Sequence, residues 1–319
     1  MGQQQKSGGP RSLTERFARG VAGRFAPRRS RELAAAGAAV VCGGLLVACG
    51  GGSATSGSTS SGADAGSSAS AAVVRPPTRT EEYLPGLEAD FWEPATPAAG
   101  PVVVLIPGGA WVSAERAGLA PLASALSDAG MTVVSATYRT ASSDTYFPDP
   151  LQDVLCAVAF AAVPRVTGDA PHPVVVVGHS AGANLAALAA LTPEATGDAC
   201  PYEPVAPDAL VGMAGPYEVA DLSWLAIALF GVPREDDPGL WEDGDPMVQA
   251  ANRAEVPALL LHGEDDVDVD VSSTASFATA LEGGGHDVTL EVVPGADHSA
   301  IYRAEVVGDR LVEWITALT

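Results

Sequence analysis

Residues 174–191, VVVVGHSAGANLAALAAL, constrain the fold of this chain more than any other segment. The valines read as a buried strand and the Ala- and Leu-rich half as a helix, with Gly178-His179-Ser180-Ala181-Gly182 between them. So abrupt a connection strains the backbone at Ser180, and small neighbours must let other chain segments pass close. Gly178 and Gly182 supply that room. A G-x-S-x-G pattern with a strand before and a helix after makes Ser180 a candidate nucleophile, with the Ala181 N–H and the helix N-terminus facing developing negative charge. In a chain with 35 glycines the five residues alone could match by chance, so the flanking strand and helix carry the reading.

Similar short apolar runs recur at Val102–Ile106, Met131–Ala136, Ala209–Met213, Ala258–Leu261 and Val288–Val293, and each reads as a buried strand. Helical spacing lies between them, at Leu119–Ala129, Leu151–Val163, Asn184–Leu191, Thr274–Leu281 and Ala304–Leu318. The alternation predicts an α/β fold, a mostly parallel sheet with helices on both faces. In such sheets reactive groups gather at the carboxyl ends of the strands.

Two further strand ends bear chemistry. The run Val102–Ile106 leads into Pro107-Gly108-Gly109-Ala110-Trp111, where a Gly-Gly turn exposes backbone N–H groups to a tetrahedral oxyanion. Gly109 and Ala110, beside Ala181, are the expected oxyanion-hole donors; a plain tight turn would also fit, and Trp111 either walls a pocket or packs. A serine nucleophile needs a general base held by a carboxylate, in the chain order Ser, Asp, His. Of five histidines, His172 precedes a strand, His179 is the variable residue of the serine motif, His262 begins a turn and His286 sits in a Gly-rich loop. His298 alone follows the final strand and is the expected base. Glu264, Asp265, Asp266, Asp268 and Asp270 crowd one loop, and an acidic run is usually a solvated face.

These residues together resemble the carboxylesterase branch of the α/β-hydrolases that includes hormone-sensitive-lipase-like and feruloyl-esterase-like enzymes, over about Tyr83 to Leu318. The resemblance implies a single α/β-hydrolase domain. The family's His-Gly-Gly-x-Trp oxyanion motif corresponds to Pro107-Gly108-Gly109-Ala110-Trp111, with proline in place of the histidine. Its Tyr-Arg pair is matched by Tyr138 and Arg139, and its Phe-Pro with a following Asp by Phe147, Pro148 and Asp153, all read as structural. Its His-Gly-x-x-Asp acid motif fits His262, Gly263 and Asp266. That match selects Asp266 as the triad acid over Asp265 and Asp268. The activity implied is hydrolysis of small-molecule carboxylic esters, short-chain or aromatic, through Ser180, His298 and Asp266. No cofactor and no metal are implied, since no metal-ligand cluster or phosphate loop competes. Two alternatives remain open: a peptidase or amidase using the same triad, and a non-catalytic surface-binding protein that keeps the fold. The stretch 215–256, with Leu222, Trp224, Leu225, Ile227, Leu229 and Phe230, reads equally as a small cap insertion or an ordinary amphipathic helix.

The flanks are not fold. Leu33–Ala48 is an apolar run of signal-peptide length behind an arginine-rich stretch, ending in Leu46-Val47-Ala48-Cys49-Gly50. The ending resembles a bacterial lipobox, so residues 1–48 are expected to be removed and Cys49 lipidated, anchoring the protein outside the cytoplasm. A secreted form is the alternative location, and a single-pass helix the competing reading, for which the run is short. Residues 49–79 are a Gly/Ser/Ala-rich tether and 80–319 the catalytic domain. Residues 1–48 hold Lys6, the lone lysine, and seven arginines against Glu15 and Glu32, so the remainder is more acidic than the whole chain's net −22. That field repels phosphate backbones and argues against nucleic-acid partners. In an oxidising compartment Cys156 and Cys200 are a candidate disulfide, the competing reading being a buried free thiol at Cys156.

Overall fold

A computed structural model describes residues 74–95, 100–163, 166, 172–220 and 222–319, without the side chains of Ser223 and Trp224. The expected leader, Cys49 and the expected tether up to residue 73 lie outside the described residues. The described part is built on one eight-stranded sheet in the order β1-β2-β4-β3-β5-β6-β7-β8. The strands are β1 Arg79–Leu84, β2 Leu87–Trp92, β3 Val102–Ile106, β4 Thr132–Ala136, β5 Val174–His179, β6 Ala209–Met213, β7 Ala258–Gly263 and β8 Val288–Val293. From β4 through β8 every pairing is parallel, while β1 and β2 pair antiparallel with each other and β2 with β4.

Helices cover both faces: α1 Ala120–Asp128, α2 Asp149–Ala161, α3 Ala181–Leu191, α4 Ser223–Phe230, α5 Pro238–Asp243, α6 Pro246–Gln249, α7 Val271–Gly284 and α8 Ala304–Thr316. Because successive side chains of a strand point to opposite faces, β3 feeds two cores. Val102, Val104 and Ile106 pack with α2, α3 and α7, and Val103 and Leu105 with α1 and α8. Every residue of α3 is buried, as expected of a helix apolar all round. Among the described residues no helix is long and apolar enough to cross a membrane.

The hairpin of β1 and β2 escapes a search for apolar runs. Its first strand reads RTEEYL with polar residues on the open side, and Pro85-Gly86 makes the turn at the Leu84↔Leu87 pair, with Gly86 at φ 77°. Cys156, buried on α2, is disulfide-bonded to Cys200, with Cα atoms 5.4 Å apart.

Candidate active site

Ser180 stands between β5 and α3 at φ 53°, ψ −125°, a conformation L residues rarely adopt. The packing around it over-determines that strain. A Cβ on Gly182 would lie 2.3 Å from the Ile106 carbonyl oxygen and 2.5 Å from that of Pro107, and one on Gly178 would lie 2.2 Å from the Gly182 oxygen. Only glycines let the start of α3 press against the end of β3. The Ser180 N–H donates to the Met213 carbonyl at 2.9 Å, tying the turn to β6.

The loop after β3 holds three consecutive positive φ values, Gly109 at 140°, Ala110 at 52° and Trp111 at 58°. Two of them are non-glycine, which stores of order 1–3 kcal/mol apiece. The loop is pinned from outside: the Tyr138 hydroxyl donates to the Pro107 carbonyl at 3.0 Å, the Ala141 N–H to the Trp111 carbonyl at 2.9 Å, and the Thr140 and Ser142 hydroxyls to that of Val112. Arg139 in turn grips both carboxylate oxygens of buried Asp153, at 2.8 and 2.7 Å, which fixes the segment that does the pinning. Among the described residues no acceptor takes the N–H of Gly109, Ala110 or Ala181. All three residues line a cavity of about 600 Å³ that also contains Ser180, His179 and His298.

His298 lies in the loop after β8 and Asp266 in the loop after β7, and the His298 Nδ1 is 2.7 Å from Asp266 Oδ2. Since a carboxylate only accepts, Nδ1 carries the proton and Nε2 is left free as a base. The other oxygen, Oδ1, accepts from the backbone N–H groups of Asp268 at 2.9 Å and Val269 at 3.0 Å. Burial pushes the Asp266 carboxyl up, but those N–H groups and His298 outweigh it and hold it below its ordinary range. Asp265 and Asp268 are exposed, and neither bonds the His298 ring among the described residues. Asp266, Asp268 and His298 are close enough to offer donor atoms to one ion, but two of the three are already joined to each other.

Sequence reasoning missed two histidines. His262, fully buried, places Nε2 3.2 Å from Asp266 Oδ2 and 3.0 Å from the Val269 carbonyl, with Nδ1 2.7 Å from the Thr274 hydroxyl. Two acceptors at Nε2 assign the proton there. Its Nε2–H donates to the Val269 carbonyl, and burial holds the imidazole below its usual pKa, so it stands beside Asp266 as a neutral ring. His179, treated as variable, places Nε2 2.9 Å from the His298 carbonyl oxygen. Nothing local announces either contact except, for His262, its place in the acid motif.

Of the stretch 215–256, Leu222 and Leu225 line the cavity, whereas Leu229 and Phe230 are buried in the core and Phe230 stacks on Trp241. The helix α4 is apolar on all sides rather than amphipathic, and the Trp224 side chain lies outside the described residues. Trp111 is buried yet lines the cavity.

A family model described as BD-FAE matches residues 90–281. Esterase LipC of Mycobacterium tuberculosis is 34% identical over 230 residues, 66% of this chain and 56% of that protein. Esterase LipQ of the same organism is 30% identical over 249 residues, 71% and 58% respectively. The matched part is thus a little over half the length of these curated relatives. Among solved structures, a thermophilic esterase of Thermogutta terrifontis with propionate bound superposes with a TM-score of 0.58 at 23% identity, over 72% of this chain and 89% of that one. That likeness shows the fold, an α/β-hydrolase. With the family model spanning more than half of its residues, this chain belongs to the BD-FAE family.

Proposed function

We propose that the protein is a serine carboxylesterase acting on short-chain or aromatic esters. The observation that carries the reading is the Asp266–His298 hydrogen bond beside a cavity shared by Ser180 and three unengaged backbone N–H groups. His298 Nε2 takes the proton as Ser180 Oγ attacks the ester carbonyl. The oxyanion rests on the N–H groups of Gly109, Ala110 and Ala181. His298 then protonates the leaving alcohol, and water releases the acyl group by the reverse sequence. The esterase names of the relatives support ester over amide chemistry. A cavity of about 600 Å³ with apolar Leu119, Leu222, Leu225 and Val267 suits a small acyl or aryl group.

The same proposal places the enzyme outside the cytoplasm, anchored by lipidated Cys49 after removal of residues 1–48. The lipobox-like ending supports it, as does the Cys156–Cys200 disulfide, a bond of oxidising compartments. Fluorophosphonate labelling of the full chain, beside Ser180→Ala and with p-nitrophenyl acetate and butyrate turnover in parallel, tests the chemistry. Loss of both signals in the variant supports the proposal. A folded native protein that neither labels nor turns over overturns it in favour of a surface-binding role. Incorporation of labelled palmitate that disappears in Cys49→Ala tests the anchor.

A further inference from the structure

His179 fills the variable position of the serine motif, where the chemistry of the nucleophile demands no particular side chain. Its surroundings are nonetheless specific. Its Nε2 lies 2.9 Å from the His298 carbonyl oxygen, a bond spanning 119 positions of sequence. Its ring is 4.8 Å from the His298 ring and 4.4 Å from that of Tyr302, measured between centroids. Its Nδ1 lies 2.9 Å from where a Cβ on Gly108 would stand, and Ser180 Cβ is equally near that point. One imidazole therefore touches the oxyanion loop, the nucleophile turn and the histidine loop.

We infer that His179 is a positioning residue, its Nε2–H holding the His298 loop at the nucleophile turn. The inference rests on the catalytic assignment proposed above. The remaining ties of the His298 loop lead elsewhere: the Asp265 N–H donates to the Ala296 carbonyl, and Asp266 accepts from the His298 ring. Both run to the acid loop and fix His298 relative to Asp266. Among the described hydrogen bonds, the one from His179 alone joins the His298 loop to the segment bearing Ser180. Donation to a carbonyl requires a proton on Nε2, and burial, with His298 next to it, lowers the pKa of His179 to about 3. The ring is thus a neutral, single-proton donor at working pH, free of a charge that would compete with His298 for Asp266.

Two substitutions separate the donor from the ring. His179→Phe keeps an aromatic plate against Tyr302 and removes the N–H, whereas His179→Gln keeps an N–H at the reach of Nε2 and removes the plate. With the full chain and p-nitrophenyl butyrate, kcat of His179→Phe should fall ~10–100-fold, the effect of misplacing a base by up to ~1 Å, with KM within about twofold. His179→Gln should stay within about threefold of native kcat. Equal impairment of the two variants, native kcat in the Phe variant, or a loss carried by KM would overturn the inference. Should His179→Phe fail to fold, Gln against Met, of similar length without a donor, makes the same comparison. Ser180→Ala run alongside keeps the two readings apart. Residual native turnover there defeats the catalytic assignment, whereas a dead Ser180→Ala with an unimpaired Phe variant defeats the role of His179 alone.

Discussion

Replacing Asp266 by Asn tests the site at its most constrained point. The carboxylate accepts from three donors, the Asp268 and Val269 N–H groups on Oδ1 and the His298 Nδ1 on Oδ2, and His262 Nε2 lies 3.2 Å from Oδ2. An amide has a single oxygen to offer. Two backbone donors fixed by a tight turn outcompete an imidazole that can exchange tautomers, so the amide oxygen turns to Asp268 and Val269 and the NH2 to His298. Nδ1 then becomes the acceptor and Nε2 holds the proton, leaving nothing to take the Ser180 proton. A wrong tautomer costs about 10³–10⁴-fold in kcat, some 4–5 kcal/mol of barrier, with KM little changed. The NH2 also confronts the buried His262 N–H, so ~1–3 kcal/mol of stability should go with it. Steady-state hydrolysis of p-nitrophenyl butyrate, with urea unfolding for stability, measures both. The reasoning is refuted if Asp266→Asn keeps more than about a tenth of native kcat, or if Asp265→Asn or Asp268→Asn loses as much.

Gly182→Ala drives a Cβ to 2.3 Å from the Ile106 oxygen, so α3 must retreat by about 1 Å, and hydrolysis assays should read a loss approaching ~10²-fold in kcat with ~1–3 kcal/mol of destabilisation. Reducing the Cys156–Cys200 bond, or the Cys156→Ser/Cys200→Ser pair, releases a loop of sequence separation 44 and should cost about 4 kcal/mol by urea unfolding, while activity at 25 °C persists. Burial raises the pKa of Asp245 to about 6, above its unfolded value. Its stability contribution is therefore full in acid and lost as pH rises through 6. Asp245→Asn, which keeps an acceptor for the Met247 N–H, should raise Tm at pH 8, a gain that fades as pH falls from 6 towards 4. An equal Tm shift at both ends would remove ionisation of Asp245 as the cause.

Strands β3 and β6 run over the same residues as the apolar runs in the sequence, because strands buried on both faces need continuous hydrophobic side chains. Strand β8 matches its run as well but lies at the sheet edge with Thr289, Leu290 and Val292 exposed, so the expectation that it is buried does not hold. The helices α3 and α7 begin three residues before their periodic stretches, since their first turns, Ala-Gly-Ala and Val-Ser-Ser, hold no more than one large apolar side chain. The hairpin β1–β2 shows no apolar run because β1 opens with Arg-Thr-Glu-Glu and the largely buried β2 carries Glu88 and Asp90 within it.

By itself the sequence determined the parallel sheet, the strained turn at Ser180, the glycine turn after β3 and the two loops that carry Asp266 and His298, all of which follow from local periodicity and steric demand. Tertiary structure gives the physical reason that Asp266, the acid the family resemblance had selected, reaches His298 while Asp265 and Asp268 stay exposed: one tight turn aims it there. It decided too that His179 reaches the His298 loop, through a contact between strand ends far apart in sequence. A propensity is a property of neighbours along the chain, whereas a hydrogen bond across 119 positions exists only once the sheet has brought its strand ends together.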